Sequence, residues 1–214
     1  MMRERVWSRA LVTASACCLA VVGCGTTTSE KPAPPFSSPP ADCVPVQDAG
    51  KTAVSSFAGN LYDPKVEFRS ERPEHASAKV LTCYGAYTTD GQHTAGGTDP
   101  RVNTVFVTIT VTYADTWSGS DAVEDTKRSF TSYRDEHAKS AKIVGGLGDD
   151  AYTSKEITDT DASAEVDFRV GNAVLHVRLN RSYLQSPSPQ QESDVESNAL
   201  ALARALAGGI DAFM

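Results

Sequence analysis

Three stretches of the chain place glycines, carboxylates and histidines at spacings that could support chemistry. GLGDDA, Gly146 to Ala151, fits Gly-x-Gly-x-x-Ala, the pattern of a glycine-rich turn that cradles a pyrophosphate. Such a site needs a helix N-terminus directly after the turn and no carboxylates where the phosphates sit. Here Asp149 and Asp150 hold those places and a strand-like run follows. The segment is expected to be a structural turn, its glycines supplying positive φ and its aspartates bonding nearby backbone amides. DTDASAEVDF, Asp159 to Phe168, opens like a calcium loop, with Asp159, Asp161 and Ser163 at alternate positions. Ala164 stands where that loop turns on glycine and Val170 where it uses a bidentate glutamate, so an acidic hairpin turn is expected. His75, His93, His137 and His176 have no His-x-His or His-Glu-x-x-His spacing and are expected at the surface or in packing. There is no Gly-x-Ser-x-Gly elbow and no Ser-x-x-Lys, with only Thr28 and Lys31 approaching the latter. These spacings give no catalytic, cofactor-binding or metal-ligating residue, and the expectation is a non-enzyme without a cofactor.

The cysteines carry a different chemistry. Arg3, Arg5 and Arg9 precede the apolar run Ala10 to Val22, which has the length of a signal-peptide core and falls short of the ~20 residues that span a bilayer. The run ends in VVGC, with small Gly23 directly before Cys24. This junction resembles the lipobox of bacterial lipoproteins. The resemblance implies that residues 1–23 are removed, that the Cys24 thiol carries diacylglycerol, and that the new amine is acylated. One acyl chain holds a protein only marginally at ~0.8 kcal/mol per buried CH2, whereas two or three make a stable anchor. Cys17 and Cys18 lie inside the apolar run without that preceding pattern. The expected location is therefore the cell membrane, lipid-anchored on its extracytoplasmic face.

After Cys24 the chain reads GTTTSEKPAPPFSSPPA to Ala41, with five prolines among small polar residues. Such a stretch buries too little apolar surface to offset its ordering entropy, and at ~3.1 Å per residue it would reach about 50 Å as polyproline II. Residues 24–41 are expected to be the lipidated cysteine and a stalk, and residues 42–214 a single extracytoplasmic domain. Losing residues 1–23 removes three arginines and one glutamate, which takes the net charge from -7 to -9. That balance is unsuited to nucleic acid or anionic lipid. Of the five cysteines, Cys43 and Cys83 then remain, an even pair in a compartment where disulfides persist, and they are expected to be bonded.

The elements that must position these residues are only partly legible. Ala78 to Thr88 and Val102 to Tyr113 alternate as strands, the second with Val105, Val107, Ile109, Val111 and Tyr113 on one side and Thr108, Thr110 and Thr112 on the other. AEVDFRV and AVLHVRL flank Gly171 and Asn172, a two-residue hairpin turn with glycine first. A short strand from about Ala151 to Thr158 is expected before them. One helix is expected from Asp121 to Lys139, with a seam of Val123, Thr126, Phe130, Tyr133 and His137. A second opens on Ser188, Pro189 and Gln191, carries Val195, Ala199, Leu202 and Leu206, and is expected to stop at Gly208. A further helix from about Val46 to Ala58 opens the domain. The order predicts an α+β fold, an antiparallel sheet covered by helices and built from two β-then-α halves.

In GGLGDDAY, followed by VDFRVGNAVLHVRL and an Ala/Leu-rich last helix, the chain resembles a group of uncharacterised actinobacterial lipoproteins. Members often carry a tryptophan soon after the second cysteine, where this chain has Tyr84 after Cys83. The layout also looks like the Mog1/PsbP-like sandwich, a likeness of fold alone. The resemblance implies no catalytic residues. The expected function is a non-catalytic binding or sensing module of the envelope with a protein partner; the alternative is a carrier enclosing a lipid or another apolar ligand.

Overall fold

Strict alternation builds the middle of the molecule. Val105, Val107, Ile109, Val111 and Tyr113 of strand β3 (Thr104–Tyr113) are buried, while Phe106, Thr108, Thr110 and Thr112 between them are only half-buried. A period of two is the pleat of a strand with one face in the core. The computed structural model describes residues 35–72, 79–88, 103–114, 121–137 and 140–214. Cys24, the expected lipidation site, and His75 and His93 lie outside the described residues.

Around β3 the chain forms β1 (Arg69–Glu71), β2 (Lys79–Thr88), β4 (Lys142–Ile143), β5 (Asp150–Ile157), β6 (Asp161–Val170) and β7 (Ala173–Ser182). They make one antiparallel sheet of seven strands in the order β1-β2-β3-β7-β6-β5-β4. The fold is α+β, as expected. The first three strands lead to helix α2 (Ala122–Glu136), the other four lead to α3 (Pro189–Phe213), and α1 (Val44–Ala58) comes before both. The two β-then-α halves are joined along β3 and β7.

Helices α1 and α3 cover the apolar face. Val46, Gly50, Val54 and Phe57 repeat at helical spacing on α1, and Val195, Ala199, Leu202 and Leu206 do so on α3; all are buried. Each large apolar side chain taken from water there contributes about 1.5–3 kcal/mol. The start of α3 has the capping box read from the sequence: Gln191 N donates to Ser188 Oγ and Ser188 N donates to Gln191 Oε1. Its end differs from expectation, because the helix runs through Gly208 and Gly209 to Phe213. Ile210 and Phe213 are buried there, and their burial outweighs the ~1 kcal/mol that each glycine costs a helix. A side chain at Gly209 would meet Ala49 of α1 at 3.4 Å, an ordinary packing contact, so the two helices lie side by side there.

Helix α2 lies against the other face. Asp121 caps it by accepting from Val123 N and Glu124 N. Ala122, Thr126 and Phe130 are buried, but Tyr133 is 52% exposed and His137 is exposed, so the expected seam holds only toward the start of the helix. Tyr133 and His137 instead stack on one another, ring centroids 4.4 Å apart.

The described residues belong to one compact unit. Within the stretch expected to be stalk, Phe36 is already packed, 7% exposed, its N–H donating to Asn172 Oδ1 at 3.1 Å and its carbonyl accepting from Asn172 Nδ2 at 3.0 Å. Among the described residues no helix is long and apolar enough to cross a membrane.

Candidate binding face

The side of the sheet away from α1 and α3 gathers the polar chemistry of the chain. Counting outward from the turn at Gly171 and Asn172 pairs Asp167 with His176 and Glu165 with Arg178. Gly171 has φ +57°, as the first position of that turn requires. Beyond β7, Thr110 faces His176 and Thr108 faces Arg178. Strand β2 then adds Thr82 and Tyr84, and β1 adds Glu71 and Arg69. Two cross-strand rows result. One runs Asp167, His176, Thr110, Thr82, Glu71, and the next runs Glu165, Arg178, Thr108, Tyr84, Arg69.

In the first row Asp167 Oδ1 lies 2.9 Å from His176 Nδ1. Burial of the imidazole favours its neutral form. The hydrogen bond and charge of Asp167, with Glu165 behind it, outweigh this against Arg178 and raise His176 above its ordinary value. The Tyr152 hydroxyl is buried beside Asp167 without a hydrogen-bond partner at bonding distance. Burial first, and the Asp167 charge second, hold that phenol far above its usual range. Tyr133 of α2 is raised by burial and by Asp167, Glu165 and Glu136. Phe130 packs on the Tyr152 ring, centroids 5.3 Å apart, so α2 covers this end of the face. In the second row Arg178 Nη1 donates to Glu165 Oε1 at 2.7 Å and Nη2 lies 3.8 Å from Glu156.

The Gly-Asp-Asp-Ala segment is the structural turn that its sequence predicts. Gly148 has φ +59°, and a Cβ there would come within 2.4 Å of the Arg169 carbonyl oxygen. Asp149 Oδ2 accepts from Gly171 N at 2.8 Å. Asp149 and Asp150 then grip the buried Arg169 guanidinium at 3.0 and 2.9 Å, while Arg169 Nη1 also donates to Gly171 O. The carboxylates tie β5 to the turn of the next hairpin.

Past α2, among the described residues, the face is hollowed. A cavity of about 510 Å³ lies over β1, β2 and β3, bounded by Val66, Glu67, Arg69, Glu71, Tyr84, Ala86 and Phe106. Its neighbour, about 350 Å³, shares Phe106 and Thr108 and extends to Asp161, Arg178, Asn180 and Ser182. The near wall is set from behind. Gln47 of α1 donates from Nε2 to Val66 O at 2.7 Å and accepts from Phe68 N at 2.9 Å. Phe68 fills the space where Gly85 lacks a side chain, since a Cβ would fall 2.3 Å from its ring. Tyr84 donates to Glu71 Oε2, which fixes the phenol at the rim.

Cys43 and Cys83 are disulfide-bonded, Cα atoms 5.6 Å apart, joining the start of α1 to β2. The calcium-like stretch is a hairpin turn: Thr158 N donates to Asp161 O, and Asp161 accepts from Ser182 Oγ at 2.6 Å and Thr160 Oγ1 at 3.0 Å. Among the described residues no cluster of three His, Cys, Asp or Glu is placed to hold a metal ion. His176 is half-buried on the sheet face, in keeping with a packing or surface histidine, and the structure adds its pairing with Asp167. The two-residue turn carried that signal, since it alone dictates which residues of the hairpin face each other. Comparison of the chain with protein-family models, curated proteins and solved structures finds no match.

Proposed function

We propose that the protein is a lipid-anchored, extracytoplasmic module that binds a protein partner in the cell envelope without catalysis of its own. The reading of location rests on the VVGC junction and Cys24, and the likeness to actinobacterial lipoproteins belongs with it. The observation that carries binding is the hollowed half of the sheet. Tyr84, Phe106 and two hollows stand there on a rigid seven-stranded base that needs no such feature for its core. The ionisable groups nearby are paired with one another, Asp167 with His176 and Glu165 with Arg178, which suits a shaped recognition surface. A carrier is the second reading, supported by the larger hollow and its Val66, Ala86 and Phe106 lining.

The test is mass spectrometry on protein isolated natively from membranes after cross-linking. The expected result is an N-terminal peptide beginning at Cys24 with added acyl mass, and a discrete cross-linked protein. An N-terminus elsewhere or without lipid overturns the anchor. A co-purifying stoichiometric lipid, with no cross-linked protein, overturns partner binding in favour of the carrier.

A further inference from the structure

We infer that the trough across β1, β2, β3, β7 and the start of β6 is the docking groove for an extended, basic segment of the partner, with one apolar side chain seated on Phe106. The inference rests on the binding-module reading and names the chemistry of its partner.

The floor comes first. Phe106 and Thr108 belong to both hollows, so the two form one trough with an aromatic ring in its middle. Tyr84 and Ala86 continue the apolar surface on one side. The ends of the trough are charged, and unequally. Glu67 and Glu71 flank Arg69 at the β1 end. At the far end Asp161 stands near Arg178, and Arg178 is already engaged by Glu165 at 2.7 Å and approached by Glu156 at 3.8 Å. Among the described residues, three carboxylates and two guanidinium groups line the trough, and Glu165 and Glu156 beside it offset the charge of Arg178, so negative charge stands on both sides of the central ring. An occupant that matches this pattern is basic, then apolar, then basic.

The span selects a chain segment over a compact cation. From β1 to β6 there are four strand spacings in the sheet order, about 19 Å at ~4.8 Å each, which is the length of about six extended residues at ~3.4 Å. A second copy of this chain is a poor occupant, because its own trough presents the same excess of carboxylates and the protein is acidic overall. An anionic lipid surface meets the same repulsion. Recognition of this kind is steered by charge, so its affinity falls as salt rises.

The experiment uses the full chain in mild detergent and a labelled synthetic peptide, acetyl-Lys-Lys-Phe-Thr-Lys-Lys-amide, read by fluorescence anisotropy. The expected result is saturable binding at low salt that weakens at least tenfold when the peptide phenylalanine becomes serine, and again when its lysines become glutamates. Phe106→Ser, and separately the exposed rim pair Glu67→Lys with Glu71→Lys, should each weaken binding tenfold or more while melting like the wild type. Binding that is absent, or indifferent to peptide charge, or unchanged in the folded rim variant, overturns the inference. Phosphatidylglycerol vesicles should not bind in a Phe106-dependent way; if they do, the groove is a lipid site and the inference fails. Cross-linking in native membranes separates the two levels. A partner retained by Phe106→Ser overturns the groove but leaves the binding module standing, whereas no partner even for the wild type overturns the binding module itself.

Discussion

Gly148 and Arg169 depend on each other at one point in the backbone. The glycine sits at φ +59° against the Arg169 carbonyl, so Gly148→Val both enters a region that branched residues avoid and strikes backbone that cannot move aside. A loss of about 3 kcal/mol or more is expected, read as a fall in the urea midpoint. Asp150→Asn removes one charge from a guanidinium that Asp149 and the Gly171 carbonyl still hold, and about 1 kcal/mol is expected. At His176 the neighbouring Asp167 raises the imidazole above its ordinary value. The protonated ring is thus better stabilised in the folded chain than in the unfolded one. Its contribution is complete below the unfolded value of about 6.5 and is lost as pH rises through the higher folded value. The melting temperature of the wild type should therefore fall through the pH window that opens at about 6.5, and His176→Gln should flatten that fall. A wild-type curve level across the window would contradict the pairing.

Helices α1 and α3 meet at Gly50, where an added Cβ would lie 2.6 Å from Leu202 Cδ1. Gly50→Ala gains ~1 kcal/mol in helix propensity but overpacks the contact at a cost of about 1–3 kcal/mol, so a net loss is expected. Leu202→Ala opens the same space and should cost about 3 kcal/mol on its own. Combined, the two changes should cost less than their sum, because the alanine at 50 partly fills the cavity left at 202; strict additivity in a double-mutant cycle would contradict the contact. The same elements show what a sequence discloses. The strands β2, β3, β6 and β7 are visible because a period of two survives in their residues, in β6 even though Asp167 and Arg169 on its polar side are buried as well. The start of α3 is visible because Ser188 and Gln191 satisfy backbone amides locally. Its end is not, since Gly208 signals a stop that only the distant burial of Ile210 and Phe213 overrides. Strands β1 and β4, three and two residues long, are too short to show any period. The trough was illegible for a related reason: Arg69, Tyr84, Phe106 and Arg178 become neighbours only through the sheet order, which pairs β3 with β7 although a helix and three strands lie between them in the chain.

Across the whole molecule, the bond between Cys43 and Cys83 closes a ring with a sequence separation of 40, for which chain entropy gives about 4 kcal/mol. Changing both cysteines to serine should lower the denaturant midpoint by an amount of that order, and the native protein should resist alkylation until reduced; two free thiols in freshly isolated protein would contradict the bond. The position of this link, taken with Phe36 and Asn172, decides how the fold meets mechanical tension. Whatever holds the chain before Pro35, a pull arrives first at the hydrogen bonds through which Asn172 clasps the backbone of Phe36. These contacts, 3.1 and 3.0 Å long, can break in succession. The next hold lies beyond them, where Pro39 and Pro40 are buried and the Arg72 guanidinium donates to the Pro40 and Ala41 carbonyls. Tension then passes through sulfur to Cys83 in the body of β2, held between β1 and β3. Helix α1 and strand β1 lie inside the ring, and Arg72, directly after β1, shares the load until its bonds to the Pro40 and Ala41 carbonyls break. A pull on the chain ahead of the ring is therefore met in stages, at Asn172, then at Arg72, then at the disulfide, as a shock absorber meets a load.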